Sequence, residues 1–143
     1  MSVITHLAEQ LRIQTEASIA TVTQGAEDRL MIASPSKTNG LRIEVWERQP
    51  ADIEVALFVP DKRGSPFEVL LIGSQAEELD VAADALELVC DLIAERKVLG
   101  MHSGFWHGGG KVIEVGELSA ETRRGLSWIV SWRGTYDWSA PHG

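Results

Sequence analysis

The sequence predicts an α+β protein in which a mostly antiparallel sheet of about six or seven strands is covered on one face by a long amphipathic helix. Three observations lead to this fold class. Apolar residues recur at helical spacing over residues 75–97, residues 17–72 alternate apolar and polar side chains with a period of two, and the connections within 17–72 are short. Short connections favour antiparallel strands, because a parallel crossover needs about a dozen residues or more.

The composition of the 143-residue chain predicts a single domain over residues 1–143. Hydrophobic residues make up 44% and charged residues 24%, which excludes disordered, collagen-like and disulfide-scaffold proteins. The apolar runs are far shorter than the ~20 residues of a membrane-spanning helix, and residues 1–10 lack the features of a secretory signal. The one cysteine, Cys90, forms no internal disulfide. We therefore expect a cytoplasmic protein that binds no membrane.

The first predicted element is a short N-terminal helix that starts at residue 3 and ends near residue 16. Its apolar face consists of Ile4, Leu7, Ala8 and Leu11. From residue 17 onward, β-branched residues alternate with polar ones, and turn-forming residues interrupt the pattern at intervals. The five strands predicted between these turns are 17–23, 28–33, 41–48, 53–59 and 67–72.

The long helix has the clearest start signal in the chain. Ser74 and Glu77 form an S-x-x-E pattern, in which each side chain accepts a hydrogen bond from a backbone amide at the start of a helix. Basic residues fall in the predicted last turn and Gly100 follows it, as at many helix ends. We expect this helix over residues 75–97, lying on the sheet.

The remaining elements are shorter. The glycines within residues 101–111 predict a flexible loop. A short strand is expected at 112–115, followed by a helix of one or two turns that Ser119 caps and a final strand over 126–133.

The loop at residues 100–111 contains the residue types best suited to chemistry. His102 and His107 titrate near neutral pH, Trp106 offers a flat stacking surface, and the Lys111 ammonium suits an anionic group. These four are the candidate ligand-binding residues. The alternative is a purely structural, β-hairpin-like connection whose glycines allow a tight path.

Known site patterns are missing from this loop. In a phosphate-binding loop Lys111 would come one position too late, and Val112 replaces the required hydroxyl residue. Two histidines supply only two metal ligands, with Glu114 or Glu117 as a third from the next strand. Cys90 lies on the apolar side of the long helix, where thiols are normally inert. We therefore predict no catalytic residue, no metal and no cofactor.

The chain is acidic, with 13 Lys and Arg against 21 Asp and Glu and a net charge of −8. Such a charge repels phosphate backbones and argues against a nucleic-acid partner. Four acids share the polar side of the long helix and are called the acidic stripe: Asp80, Asp84, Glu87 and Asp91. The stripe is either a solvated surface or a docking surface for a basic protein, because complementary charge speeds encounter.

Tryptophan usage points to further contact residues. Trp46 lies opposite Ile43 and Val45 on its strand, which indicates either a second buried layer or an exposed patch of the kind enriched at interfaces. Trp132 either packs in the core or closes a homodimer together with neighbouring aromatic residues. Trp46 and Trp132 therefore join the acidic stripe as candidate partner-binding residues.

Two functions follow from these features. The first is a small non-enzymatic binding or adaptor protein that acts through surface complementarity, as a homodimer or with a basic protein partner. The order of helix, strands, helix and strands resembles that of small secretion chaperones and of toxin-neutralising immunity proteins, although the Trp-rich final strand departs from the chaperone pattern. The alternative is a small-ligand-binding protein or an enzyme with its pocket at residues 100–111.

Overall fold

The fold is described from a computed structural model. It describes residues 3–15, 20–25, 29–34, 41–49, 52–58, 66–72, 78–102 and 109–140. The helices in this part of the chain are α1 (Val3–Gln14), α2 (Glu78–Ile93) and α3 (Ala120–Arg124), with a 3-10 turn at Val115–Glu117. The strands are β1 (Thr21–Gln24), β2 (Arg29–Ala33), β3 (Arg42–Gln49), β4 (Asp52–Phe58), β5 (Pro66–Ile72), β6 (Lys97–His102), β7 (Gly109–Glu114), β8 (Trp128–Val130) and β9 (Trp138–Ser139).

The strands form two antiparallel sheets rather than one. The first sheet is a meander in the order β1-β2-β3-β4-β5, and the second has the order β7-β6-β8-β9. Helices and antiparallel sheets together confirm the α+β class, but the prediction of one sheet with six or seven strands is wrong. Alternation in the sequence reveals that a segment is a strand, whereas the choice of its neighbours depends on contacts between distant segments.

The main core lies between helices α1 and α2 on one side and one face of the first sheet on the other. The predicted apolar face of α1 is confirmed, because Ile4, Leu7, Ala8 and Leu11 are all fully buried. In β3, Ile43 and Val45 are also fully buried and belong to the same cluster. The predicted strand alternation therefore points the apolar side of the meander towards α1 and α2.

Helix α2 is shorter than predicted. It ends at Ile93 instead of residue 97, and Lys97 already begins β6. Residues 75–77, where the helix was expected to start, lie outside the described residues. None of the helices in the described part has the length and apolar character needed to cross a membrane.

The end of α2 is closed by a Schellman motif built on a glutamate. Glu95 has a φ of 57°, in the left-handed region that glycine usually occupies. The Arg96 amide donates to the Asp91 carbonyl at 2.8 Å, and the Glu95 amide donates to the Leu92 carbonyl at 3.2 Å. These two bonds stop the helix and turn the chain directly into β6. Glu95, and not the expected Gly100, is therefore the residue that follows the end of the helix.

The second sheet separates two apolar clusters. One face carries Leu99 and Val130 into the main core, which Trp132, two residues after β8, also joins. The opposite face forms a smaller cluster with Val98 and Ile129, against which Trp138 packs. The prediction of a loop at residues 100–102 and 109–111 is wrong, because these residues lie in β6 and β7.

Helix α3 follows the sequence closely. The Ser119 side chain accepts a hydrogen bond from the Thr122 amide at 3.2 Å, which confirms the predicted cap. The strand predicted over 126–133 is shorter in the structure, where it consists of β8 (Trp128–Val130). It is followed by a turn in which Asp137 Oδ1 accepts from the amide (2.8 Å) and the hydroxyl (3.1 Å) of Ser131.

Gly100 serves close packing rather than helix termination. A Cβ atom added there would lie 2.5 Å from Ile113 Cδ1 and 3.0 Å from Leu126 Cδ1. The side chains of the smaller apolar cluster thus occupy the space that any larger residue at Gly100 would need.

Replacement of Gly100 by alanine is expected to destabilise the fold by about 1–3 kcal/mol, because the added methyl group must displace Ile113 and Leu126. Urea denaturation measures this change in the free energy of unfolding. Gly116→Ala is the matched control, since a Cβ at Gly116 meets no atom within 4 Å. Equal stability of Gly100→Ala and wild type would contradict the packing role.

Candidate functional site

The face of the first sheet that points away from the helices carries a set of aromatic and arginine side chains. We call this set the aromatic–arginine row, and its members are Arg29, Arg42, Trp46 and Phe58. Strand register brings them together, because Arg29 lies opposite Trp46 and Arg42 lies opposite Phe58. The period of two in β3 places Arg42 and Trp46 on the side opposite the core residues.

The rings and guanidinium groups of the row are in mutual contact. The Arg29 guanidinium carbon lies 5.2 Å from the centroid of the Trp46 ring, and that of Arg42 lies 4.6 Å from the centroid of the Phe58 ring. The two ring centroids are 6.4 Å apart with an interplanar angle of 66°, an edge-to-face arrangement. Each cation therefore faces a π-system, which is an attractive pairing at a partly exposed surface.

The exposed charge of the row is positive, although the protein as a whole is acidic. Arg29 and Arg42 are exposed and Trp46 is half-buried. Glu44 and Glu54, on the same face, are only 6% and 8% exposed. Arg42 also lies 3.9 Å from a carboxylate oxygen of Glu44. The acids of this face are thus withdrawn from solvent while its arginines remain accessible.

The two tryptophans named from the sequence differ in their surroundings. Trp46 belongs to the row, where it is half-buried. Trp132 is fully buried in the main core, and its backbone carbonyl accepts a hydrogen bond from the Ser34 hydroxyl at 2.5 Å. A partner could contact the Trp132 ring only if this packing opened.

The acidic stripe is interrupted at one end by basic residues. Asp84 and Glu87 are exposed on α2. Asp91 instead forms salt bridges with Arg96 Nε at 2.7 Å and Lys97 Nζ at 3.2 Å. Burial opposes ionisation of Asp91, but the hydrogen bonds and charges of these two cations outweigh it and lower the pKa of Asp91. The side chain of Asp80 lies outside the described residues.

The candidate ligand-binding residues are described only at the two ends of their loop. His102 is the last residue of β6 and pairs through its backbone with Gly109. Lys111 is exposed on β7. Trp106 and His107 lie outside the described residues. The antiparallel pairing of β6 with β7 agrees with the hairpin-like interpretation of the segment. Within the described ranges, no three metal-binding side chains converge.

Cys90 lines a cavity of about 370 Å³ at the ends of α1 and α2. Its thiol donates to Gln14 Oε1 at 3.7 Å. Burial raises the pKa of the Cys90 thiol and Asp91 adds to this effect, while the positive charge of Arg96 acts in the opposite direction. A thiol with a raised pKa stays protonated at neutral pH and is a poor nucleophile.

Glu95 is an important residue that no pattern in the sequence marks. Its carboxylate is buried and accepts from the amide (3.3 Å) and Nε (3.2 Å) of Arg133. It also accepts from the amide (3.2 Å) and hydroxyl (2.6 Å) of Thr135. Burial opposes ionisation, but hydrogen bonds from Thr135, Ser131 and the two amides outweigh it and lower the pKa of Glu95. The ionised carboxylate thus joins the end of α2 to the turn before β9.

Comparison with known proteins identifies no relative: no protein-family model matches the chain, and neither the curated proteins nor the solved structures contain a significant match.

Glu95→Gln is expected to lower the free energy of unfolding at pH 7 by about 2–3 kcal/mol, because hydrogen bonds to a charged acceptor are stronger than those to a neutral one. Since the pKa of Glu95 is lowered in the folded state, its stabilising effect is complete above the unfolded pKa of about 4.3. The effect disappears as the pH falls through the lower, folded pKa.

Denaturant titrations of the wild type and Glu95→Gln between pH 3 and pH 7 measure this dependence. Glu121→Gln is the control, since Glu121 is exposed. A stability difference between wild type and Glu95→Gln that stays constant as the pH falls would contradict the role assigned to the ionised carboxylate.

Proposed function

We propose that the protein is a non-enzymatic protein-binding module that acts through surface complementarity, with the aromatic–arginine row as its contact surface. The observation that carries this proposal is the row itself: the exposed guanidinium groups of Arg29 and Arg42 lie against the half-buried Trp46 ring and the buried Phe58 ring, on the sheet face opposite α1 and α2. Its residue types support the proposal, because Trp and Arg are enriched among residues that dominate binding energy at protein interfaces.

The geometry of the row also favours binding on entropic grounds. Trp46 is held by Phe58 on one side and by Arg29 on the other before any partner arrives. A side chain that is already ordered loses less conformational freedom when a complex forms. More of the contact energy then remains as affinity.

A second copy of the chain is the partner we propose first. A symmetric dimer needs a self-complementary surface, and the row carries both halves of a cation–π pair. Two copies that meet face to face can bring the exposed part of Trp46 in each against the arginine side chains of the other, while the pairs within each chain stay in place. The exposed acids Asp84 and Glu87 lie on α2, on the other side of the first sheet, and stay accessible to a basic partner. We further propose a cytoplasmic setting, in keeping with the free thiol of Cys90.

The wild type is expected to sediment as a dimer at micromolar concentration. The Arg29→Glu variant is expected to dissociate more readily, with a dimer dissociation constant at least about tenfold higher. Sedimentation velocity over a concentration series measures the shift. Arg12→Glu is the matched control, because Arg12 is an exposed arginine on α1 and its replacement by glutamate makes the same change in charge. A wild type that is monomeric throughout the series would contradict the dimer.

Reversal of the exposed part of the acidic stripe, Asp84→Lys with Glu87→Lys, is expected to abolish salt-sensitive binding to basic proteins while the dimer persists. Affinity purification at low and high salt compares this variant with Glu117→Lys/Glu121→Lys, which reverses two exposed acids elsewhere. If the wild type and both variants retain the same bound proteins, the acidic stripe is not a docking surface. If Trp46→Ala also leaves both the bound proteins and the sedimentation unchanged, the protein-binding proposal itself fails.

A further inference from the structure

A cavity of about 380 Å³ lies beside α3, on the side of the second sheet that faces away from the main core. Its walls are apolar apart from two arginines. The lining residues are Ala120, Arg123, Arg124, Leu126, Trp138 and Ala140. Its volume falls in the range of small-molecule sites, which starts at about 300 Å³.

Arg123 lines this cavity and lies against Trp138. Its Nε atom is buried and has no hydrogen-bond partner. The guanidinium carbon lies 5.8 Å from the centroid of the Trp138 ring. The salt bridges in the described part of the chain involve other residues, so neither Arg123 nor Arg124 has a carboxylate partner there. Two arginines without a carboxylate partner among the described residues can therefore donate to an acidic ligand in the cavity.

Backbone hydrogen bonds hold the walls of the cavity in place. The Leu126 amide donates to the Arg123 carbonyl at 3.0 Å, and the Ala140 amide donates to the Ser127 carbonyl at 2.8 Å. Trp138 pairs with Ile129 in the second sheet. The backbone that carries Arg123, Leu126 and Trp138 is therefore fixed before a ligand binds, which lowers the entropic cost of binding.

We propose that this cavity binds a small aromatic carboxylate. The flat apolar body would lie against Trp138 and Leu126, and the single carboxylate would accept hydrogen bonds from Arg123 and Arg124. Charge favours this occupant, because residues 96–143 contain six Lys and Arg against four Asp and Glu in a chain of net charge −8. An arginine beside an apolar wall suits one carboxylate better than a nucleotide, whose sugar and several phosphates need many more polar partners.

The proposal is tested with 2-naphthoate as the probe and its neutral analogue 2-naphthamide as the control ligand. Titration calorimetry is expected to give one naphthoate per chain and at least about tenfold weaker binding of the amide, because the amide forms no ion pair with arginine. Nitrogen–proton correlation NMR spectra should show the largest shift on naphthoate binding at the indole N–H of Trp138. The Trp138→Phe variant, which lacks this signal, assigns it.

Variants separate the cavity from general anion binding. Arg123→Gln is expected to weaken naphthoate binding about tenfold and Arg124→Gln by a smaller factor, whereas Arg12→Gln leaves it unchanged. Thermal melts verify that each variant is folded. If Arg123→Gln does not fold, the affinity of Arg124→Gln for naphthoate tests the cavity by itself. Equal affinity for naphthoate and naphthamide would overturn the proposal. The absence of a shift at Trp138, or full displacement of naphthoate by equimolar acetate, would also do so.

Discussion

The buried carboxylate of Glu95 is the interaction on which the second half of the molecule depends. Glu95 ends α2 in a left-handed conformation that costs a residue with a Cβ about 1–2 kcal/mol. The same residue accepts hydrogen bonds from Arg133 and Thr135, and bonds to a charged acceptor contribute roughly 1.5–3 kcal/mol each. The unfavourable backbone geometry is thus offset by the network that it positions. This explains how a glutamate can occupy a site that usually selects glycine.

The early end of α2 decides where the second sheet lies. Because the chain reverses at Glu95, β6 starts at Lys97 and pairs with β7 on one side and β8 on the other. The sheet then serves as a wall between two apolar clusters. Gly100 is needed there because Ile113 and Leu126 occupy the space beside it. The aromatic–arginine row lies on the first sheet and the Arg123 cavity on the second, so the two proposed sites can be tested independently.

Predictions that depend on neighbouring residues succeeded, and predictions that depend on distant segments failed. The apolar face of α1, the alternation of β3 and the Ser119 cap all depend on residues a few positions apart, and each is confirmed. Gly100 was misinterpreted because a glycine after a helix and a glycine under a packed side chain look the same in a sequence. The single predicted sheet failed for a related reason: alternation does not specify which strands become neighbours.

The sequence alone determined the α+β class, the order of most elements, the net charge and the side of each element that is apolar, because periodicity and composition are local properties. Tertiary structure decided that Trp46 joins two arginines at the surface while Trp132 is buried. It also decided that Asp91 is paired with Arg96 and Lys97, and that the Arg123 guanidinium lies over the Trp138 ring beside a cavity. Most of these outcomes depend on the packing of segments far apart in the chain, and a pattern within one segment contains no information about the segment that covers it.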